Sequence, residues 1–456
     1  MGAAAVKLLW AAAAALVLFA AAAAVLSMQQ AALVGVVALL VVLWTNEGLP
    51  LGVVSLLPIV LFPALHILPT KATTVNYAHP IIYLFLGGFM LAIAVEKSGL
   101  HLWIARKMLG IFPSSGRGVI VSLALTSGIM SSILSNTTTA LLLMAIALFL
   151  SDDPRLKMRF TLAIAYGASV GGILTPIGTP PNLILLGVME EHAMAVIPFV
   201  QWMWMVAPLA LAMFVVISLV LSIGVHDVRL ERPKEGRALD TDQKKILTLL
   251  GGLILLLLVN APIRPYWDGL GMSEPVILLA AGLMLFAPPF SLLVWHEDKA
   301  KIPYRIMFLF GAGFAIARAF SETGLANVIA GFIVSYSYLA PLYLLIIIAV
   351  MITFTTEITS NTALISIMLP VIYAVAQQTG LDATLFMMVA TICASYAFML
   401  PIATPPNAIA MSSGVVPIKT MAFYGLFFNL AGIAVIVLIA VVFWAPVLGV
   451  ASPFGF

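Results

Sequence analysis

Two segments of this chain recur at one fixed distance, and both carry residues that interrupt helices. Ser135-Asn136-Thr137 returns as Ser360-Asn361-Thr362, and Thr175-Pro-Ile-Gly-Thr-Pro-Pro-Asn182 returns as Leu400-Pro-Ile-Ala-Thr-Pro-Pro-Asn407, an offset of 225 each time (360 − 135 and 403 − 178). The register extends outward: Tyr83-Leu-Phe-Leu-Gly-Gly-Phe89 lies over Phe308-Leu-Phe-Gly-Ala-Gly-Phe314, and Ser98-Gly-Leu100 over Thr323-Gly-Leu325. The chain therefore holds two long homologous halves. Each break is embedded in apolar sequence, and irregular backbone at membrane depth is tolerated only where protein or enclosed water satisfies it. One such motif alone is as readily a kink or an interhelical hydrogen bond. Two copies in register, with six identities in each eight-residue Pro motif, argue for a paired site.

Composition sets the class. With 63% hydrophobic and 9% charged residues over 456 positions, polar surface is too scarce to cover a soluble globule of this size. The expected fold is an all-α polytopic membrane protein whose partner is the lipid bilayer, with no nucleic acid. Apolar runs able to cross about 30 Å of hydrocarbon occur at 8–26, 30–46, 50–66, 80–96, 159–186, 199–224, 244–262, 273–289, 304–320, 385–411 and 420–448. Two further stretches, 118–150 and 338–376, are too long for one crossing and too short for two, and Ser-Asn-Thr interrupts each. They are expected to be re-entrant helical hairpins, and 159–186 and 385–411 to be helices broken at Thr-Pro-Pro-Asn. The layout is about 11 transmembrane helices plus two hairpins. The single Cys393 excludes an intrachain disulfide and any multi-Cys metal site.

Charge placement orients this layout. With a cytoplasmic N-terminus and hairpins that do not cross, the loops at 97–117, 151–159, 225–245, 291–305 and 412–419 share one side. They hold 17 of the 21 Lys and Arg, and Lys7 is the eighteenth. Only Lys71, Arg264 and Arg318 fall opposite, so the positive-inside rule favours that orientation in the plasma (inner) membrane, with the 453–456 tail outside. The expected domains are an N-terminal transmembrane helix over 1–28, a first repeat over 29–225, a cytoplasmic linker over 226–243 and a second repeat over 244–456. The alternative for 8–26 is a cleaved signal peptide, although apolar sequence continues past Gln29-Gln30 into the next span. Five spans and one hairpin per half make the second copy enter from the opposite face, an inverted-topology pair.

Asn, Thr and Ser at a hairpin tip offer hydroxyl and amide groups together with the free N–H groups of a helix N-terminus, which favour anions. Consecutive prolines remove donors and push the preceding residue out of helical geometry, leaving carbonyls suited to a small hard cation such as sodium. Apart from Arg318, no Lys or Arg lies inside the apolar segments beyond their cytoplasmic edges, so no buried guanidinium is available to a carboxylate. A helix end contributes at most about 2 kcal/mol, whereas a unit charge at the bilayer centre costs about 2.5–3.5 kcal/mol. Dipoles alone fall short for a dianion. A cation held about 4 Å away adds about 4 kcal/mol at an effective dielectric of about 20, which couples anion uptake to a cation gradient.

Paired Ser-Asn-Thr motifs in opposed hairpins, each followed by a Pro-Pro-Asn break, resemble the divalent anion/sodium symporter family, which carries dicarboxylates, citrate and in some members sulfate. The resemblance covers about 80–450 and implies a homodimer with a fixed scaffold and a mobile region that carries substrate across like an elevator. It implies a first sodium site at Ser131, Ser135, Asn136 and Gly178 and a second at Thr356, Thr359, Asn361 and Ala403. Substrate carboxylates would meet Asn136, Thr137, Asn361 and Thr362, with Thr179, Pro180, Thr404 and Pro405 lining the pocket. The implied function is sodium-coupled symport of a dicarboxylate such as succinate, malate or fumarate, with sodium as coupling ion and no other cofactor. A sodium-independent dicarboxylate exchanger and an oxyanion extruder of the same superfamily are the alternatives.

Thr138 stands where the family commonly has Ala, which bears on substrate preference. The family often has an acid at the position of Glu357, for which a structural or gating role is favoured over that of a proton or cation ligand. Glu47 and Glu96 are expected at span ends, and His79, His101 and His192 in loops without metal-ligand spacing. A hydrolase would need His-Glu-x-x-His, or Gly-x-Ser-x-Gly with a partner His. Both patterns are read as absent from the chain, which is read as no enzyme. A passive channel would not require inverted halves around a closed midplane site.

Overall fold

A computed structural model describes residues 3–46, 48–225, 238–262, 266–336 and 340–450. Glu47, Arg264, the greater part of the expected linker (226–237) and the 453–456 tail lie outside them. Among the described residues the chain is helical, with no β-strand.

The first half opens with α1 (Ala3–Ala23) and α2 (Met28–Asn46), packed on each other along their length. The expected span 50–66 is two short helices, α3 (Leu51–Val54) and α4 (Leu57–Ala64). Ser55 sits at their junction: its hydroxyl donates to the Leu51 carbonyl at 2.7 Å and its own carbonyl accepts from the Tyr77 hydroxyl at 2.6 Å. There follow α5 (Pro80–Lys97), α6 (Leu100–Ile111), α7 (Gly116–Ser131), α8 (Asn136–Phe149), α9 (Pro154–Gly172), α10 (Pro180–Glu191) and α11 (Phe199–Ser222). The second half contains α12 (Thr241–Asn260), α13 (Glu274–Met284), α14 (Tyr304–Glu322), α15 (Leu325–Tyr336) and α16 (Pro341–Thr356). It ends with α17 (Asn361–Thr379), α18 (Ala383–Ser395), α19 (Pro405–Ser412) and α20 (Ile418–Ile439).

Four helices of the second half start 225 residues after their counterparts (325 − 100, 341 − 116, 361 − 136 and 405 − 180). The repeated Ser/Thr-Gly-Leu motif explains the first pair. Gly99 and Gly324 have φ of 69° and 70°, a left-handed turn that glycine adopts without steric cost, and each launches a 12-residue helix. Those two helices were expected as loop, and His101 with them. It lies instead inside α6, buried, with Nδ1 3.2 Å from the Val95 carbonyl oxygen.

Among the described residues six helices are long and apolar enough to cross a bilayer unaided, or seven if Trp295–Lys301 and Tyr304–Glu322, bent by 53°, form one span. The expected spans at 50–66, 159–186, 273–289 and 385–411 are shorter or interrupted helices, each with prolines at or beside its break, whereas 244–262 falls on the single 20-residue helix α12. Close approach compensates. A Cβ on Gly167 of α9 would lie 2.5 Å from the Ala124 carbonyl oxygen of α7, so these helices pack backbone to backbone.

Packing between the halves is reciprocal. Helix α10 lies against α17 and α18, and its counterpart α19 against α8 and α9. Helix α13 lies against α5, and α3 and α4 against α14. One relation is broken: α14 packs on both α17 and α10, whereas α5 has no comparable contact with α8 or α19.

Candidate substrate and cation site

Both Ser-Asn-Thr motifs are helix starts. Ser135 and Ser360 are extended N-cap residues whose hydroxyl oxygens accept from the backbone N–H of Thr138 at 3.1 Å and of Ala363 at 3.5 Å. The third and fourth N–H groups of each helix are thereby used, the fourth by the cap residue's own carbonyl. The N–H groups of Asn136 and Thr137 in α8, and of Asn361 and Thr362 in α17, have no acceptor among the described residues. Four backbone donors at two helix N-termini remain available.

The Pro motifs break their helices as their chemistry requires. Thr179 (φ −145°, ψ 143°) and Thr404 (φ −140°, ψ 148°) are extended ahead of Pro180-Pro181 and Pro405-Pro406. Part of the backbone freed by the break is satisfied internally, contrary to the expectation that it stays open for a cation. Asn182 Nδ2 donates to the Gly172 and Thr175 carbonyls at 3.3 and 2.9 Å, and Asn407 Nδ2 to the equivalent Ala397 and Leu400 carbonyls at 2.9 and 3.1 Å. These asparagines are buried stitches, a role their place in the doubled motif signals.

Helix starts and breaks meet around one cavity of about 380 Å³. All eight residues assigned to substrate line it: Asn136, Thr137, Thr179, Pro180, Asn361, Thr362, Thr404 and Pro405. No Lys, Arg, Asp, Glu or His is among its lining residues, so backbone dipoles, amides and hydroxyls supply its polarity. Apolar walls that sequence reasoning did not assign come from Phe85, Phe89, Ile177 and Ile402.

The residues assigned to sodium divide. Ser135, Asn136, Gly178, Asn361 and Ala403 line the cavity. Ser131 and Thr356 are fully buried behind the tips, where their hydroxyls donate to Asn136 Oδ1 at 2.5 Å and Asn361 Oδ1 at 2.7 Å. Gly172 is pressed against the same knot, since a Cβ there would stand 2.7 Å from Asn136 Oδ1. Hydroxyl, carboxamide and backbone oxygens gathered this closely are the hard donors a sodium ion takes. Thr359 is set apart: it does not line the cavity, and its hydroxyl donates to the Thr355 carbonyl at 2.8 Å. Thr138 is likewise committed, 2.9 Å from the Ser135 hydroxyl.

Each tip is tied to the neighbouring break, by different chemistry in the two halves. The Thr175 hydroxyl donates to the Ser132 carbonyl at 2.5 Å. At the position equivalent to Ser132 stands Glu357, 3% exposed, whose carboxylate accepts from the Met399 and Leu400 N–H groups, both at 2.9 Å, and from Asn429 Nδ2 at 2.7 Å. All its contacts are donors that hold elements together. The spacing Gly-x-Ser-x-Gly does occur, at Gly167-Ala-Ser-Val-Gly171, but Ser169 is mid-helix in α9 and buried, and its hydroxyl donates to the Ala165 carbonyl at 3.3 Å. That is no nucleophile elbow. No cluster of three metal-ligating His, Cys, Asp or Glu occurs among the described residues.

Residues 39–391 match the citrate transporter family, CitMHS. The chain belongs to this family. It is a transporter and not an enzyme. Two curated relatives are the "sodium-dependent dicarboxylate transporter SdcS" of Staphylococcus saprophyticus and of Staphylococcus aureus, each 29% identical over 440 residues. The first alignment covers 89% of this chain and 85% of the relative, the second 89% and 84%. Among solved structures, the fold of this citrate transporter family member is similar to the Alcanivorax borkumensis YdaH transporter, with TM-score 0.58 and 15% identity over 83% of this chain and 88% of that one. It is also similar to Neisseria gonorrhoeae MtrF, with TM-score 0.59 and 16% identity over 81% and 83%.

Proposed function

We propose that the protein is a sodium-coupled symporter of C4-dicarboxylates such as succinate, malate or fumarate. The observation that carries this reading is the cavity on which two helix N-termini converge with four unclaimed N–H groups and no charged side chain in its lining. Two such ends suit the two carboxylates of a short diacid. Their dipoles do not offset a buried dianion, and sodium at the Asn136 and Asn361 knots supplies the missing positive charge. The sodium dependence in the name of the Staphylococcus relatives supports the same coupling. Purified protein in proteoliposomes should take up succinate saturably when sodium is outside and lose that uptake when choline replaces it. Uptake indifferent to sodium but dependent on preloaded dicarboxylate would instead make it an exchanger.

The two halves, 29–225 and 244–456, form in this reading an inverted pair whose hairpin tips come from opposite faces, with the basic loops in the cytoplasm. The broken reciprocity of packing supports alternating access. In the state described, α14 closes on α17 and α10 while the matching face between α5, α8 and α19 stays open. Ser366 of α17 is buried against Gly313 of α14, whereas its counterpart Leu141 is 57% exposed and Gly88, the counterpart of Gly313, faces Ile177. Transport then exchanges these two arrangements as the tips move past α5 and α14. A Cβ on Gly313 would lie 3.3 Å from Ser366 Cβ, just inside the usual disulfide spacing of about 3.5–4.5 Å, so a small backbone shift lets two cysteines bridge. Oxidising the Gly313→Cys/Ser366→Cys protein should stop uptake, and dithiothreitol should restore it. Full uptake by the crosslinked protein would rule out separation of α14 from α17.

A further inference from the structure

A second cavity, of about 230 Å³, adjoins the central one and shares Phe89, Leu134, Ser135, Thr137 and Ile306 with it. It lies on the open side, between α5 and α8. Its own walls bring Thr138 of α8 opposite Lys301 and Arg305, with Glu96 at the end of α5. The charges differ in commitment. Asp298, 3% exposed, holds Lys97 at 2.7 Å and stands 3.6 Å from Lys301. Arg305 has no hydrogen bond or ion pair among the described residues, and neither does the Glu96 carboxylate. The wall therefore carries two cations against one carboxylate, with one guanidinium uncommitted. Such a wall attracts a dianion and raises its local concentration.

The repeat makes this one-sided. Positions 225 away from Lys301, Arg305 and Glu96 are Asn76, Pro80 and Ser321, none of them charged. The matching mouth on the closed side thus has no equivalent of Arg305.

We infer that this second cavity is an anteroom for the transported anion, in which Arg305 captures a small dicarboxylate and passes it to the N-terminus of α8. The inference rests on the dicarboxylate reading of the central cavity. Because Arg305 lies outside that cavity, it acts mainly on the rate of arrival.

The test uses the oxidised Gly313→Cys/Ser366→Cys protein, purified in detergent with sodium saturating and constant, and measures rapid-filtration binding of radiolabelled succinate. Ionic strength is varied with choline chloride. Arg305→Gln should slow association by about 3- to 10-fold at low ionic strength and lose most of its salt dependence. The Kd should rise by about the same factor, because dissociation stays nearly unchanged. Arg305→Lys should retain the fast rate, and Glu96→Gln should increase it. An Arg305→Gln protein with unaltered rate and salt dependence would overturn the anteroom, as would Arg305→Gln and Glu96→Gln shifting the rate in the same direction. Succinate binding to the unsubstituted protein is the control. Its absence would count against the dicarboxylate reading, whereas normal binding with an unaltered Arg305→Gln rate counts against the anteroom alone.

Discussion

Replacing Asn136 or Asn361 by Ala is expected to abolish sodium-driven succinate uptake, lowering it by about 100-fold or more, while the protein stays folded in the membrane. The magnitude follows from double use of each side chain. Asn136 Oδ1 accepts from the Ser131 hydroxyl in the oxygen-rich knot, and the residue also faces the central cavity at the first turn of α8. Asn361 repeats this with Thr356. A hydrogen bond to a charged group contributes about 1.5–3 kcal/mol, so losing one such contact to the cation and one to the carboxylate removes roughly two factors of ten. The fold tolerates the change, because the caps come from Ser135 and Ser360. Uptake at the unsubstituted rate in either variant, with equal protein in the membrane, would dismantle the assigned pocket.

Glu357→Ala should unfold the protein more readily than any change inside the cavity. The substitution leaves three donors, the Met399 and Leu400 N–H groups and Asn429 Nδ2, facing an apolar gap. Stranding a buried polar group costs about 1–3 kcal/mol, and three donors lose their acceptor here. A loss of about 4 kcal/mol should appear as a lower thermal midpoint in detergent, together with loss of uptake. Glu357→Gln should fall between, since one carboxamide oxygen replaces two carboxylate oxygens and the amide N–H groups face another donor. An unchanged midpoint in Glu357→Ala would mean that the carboxylate does not tie the tip of α17 to the break before α19.

Much of this architecture is legible in the chain because helix breaks are local chemistry. Proline removes a donor wherever it stands, and Ser before Asn-Thr caps a helix with its own hydroxyl, so α8, α10, α17 and α19 begin where the doubled motifs place them. Hydropathy marked the long apolar helices α1, α2, α5, α11 and α20. It failed at α6 and α15, helices of 12 residues that are too short to cross a bilayer and that follow a left-handed glycine the repeated Ser/Thr-Gly-Leu motif already marked. It also missed the Ser55 junction, which depends on Tyr77, 22 residues away.

The sequence by itself determined that two helix-breaking motifs recur 225 residues apart in apolar surroundings, and where each breaks its helix. Tertiary structure decided which polar groups remain unclaimed. Asn182 closes carbonyls that spacing alone leaves open, Glu357 reaches Asn429 across 72 residues, and Thr359 turns back on the end of α16. It also decided that two halves with one pattern adopt unequal packing, α14 closed and α5 open. The physical reason is range: propensity and breakage are set by neighbours along the chain, whereas satisfaction of a buried donor or acceptor depends on atoms that only packing brings within 3 Å or so.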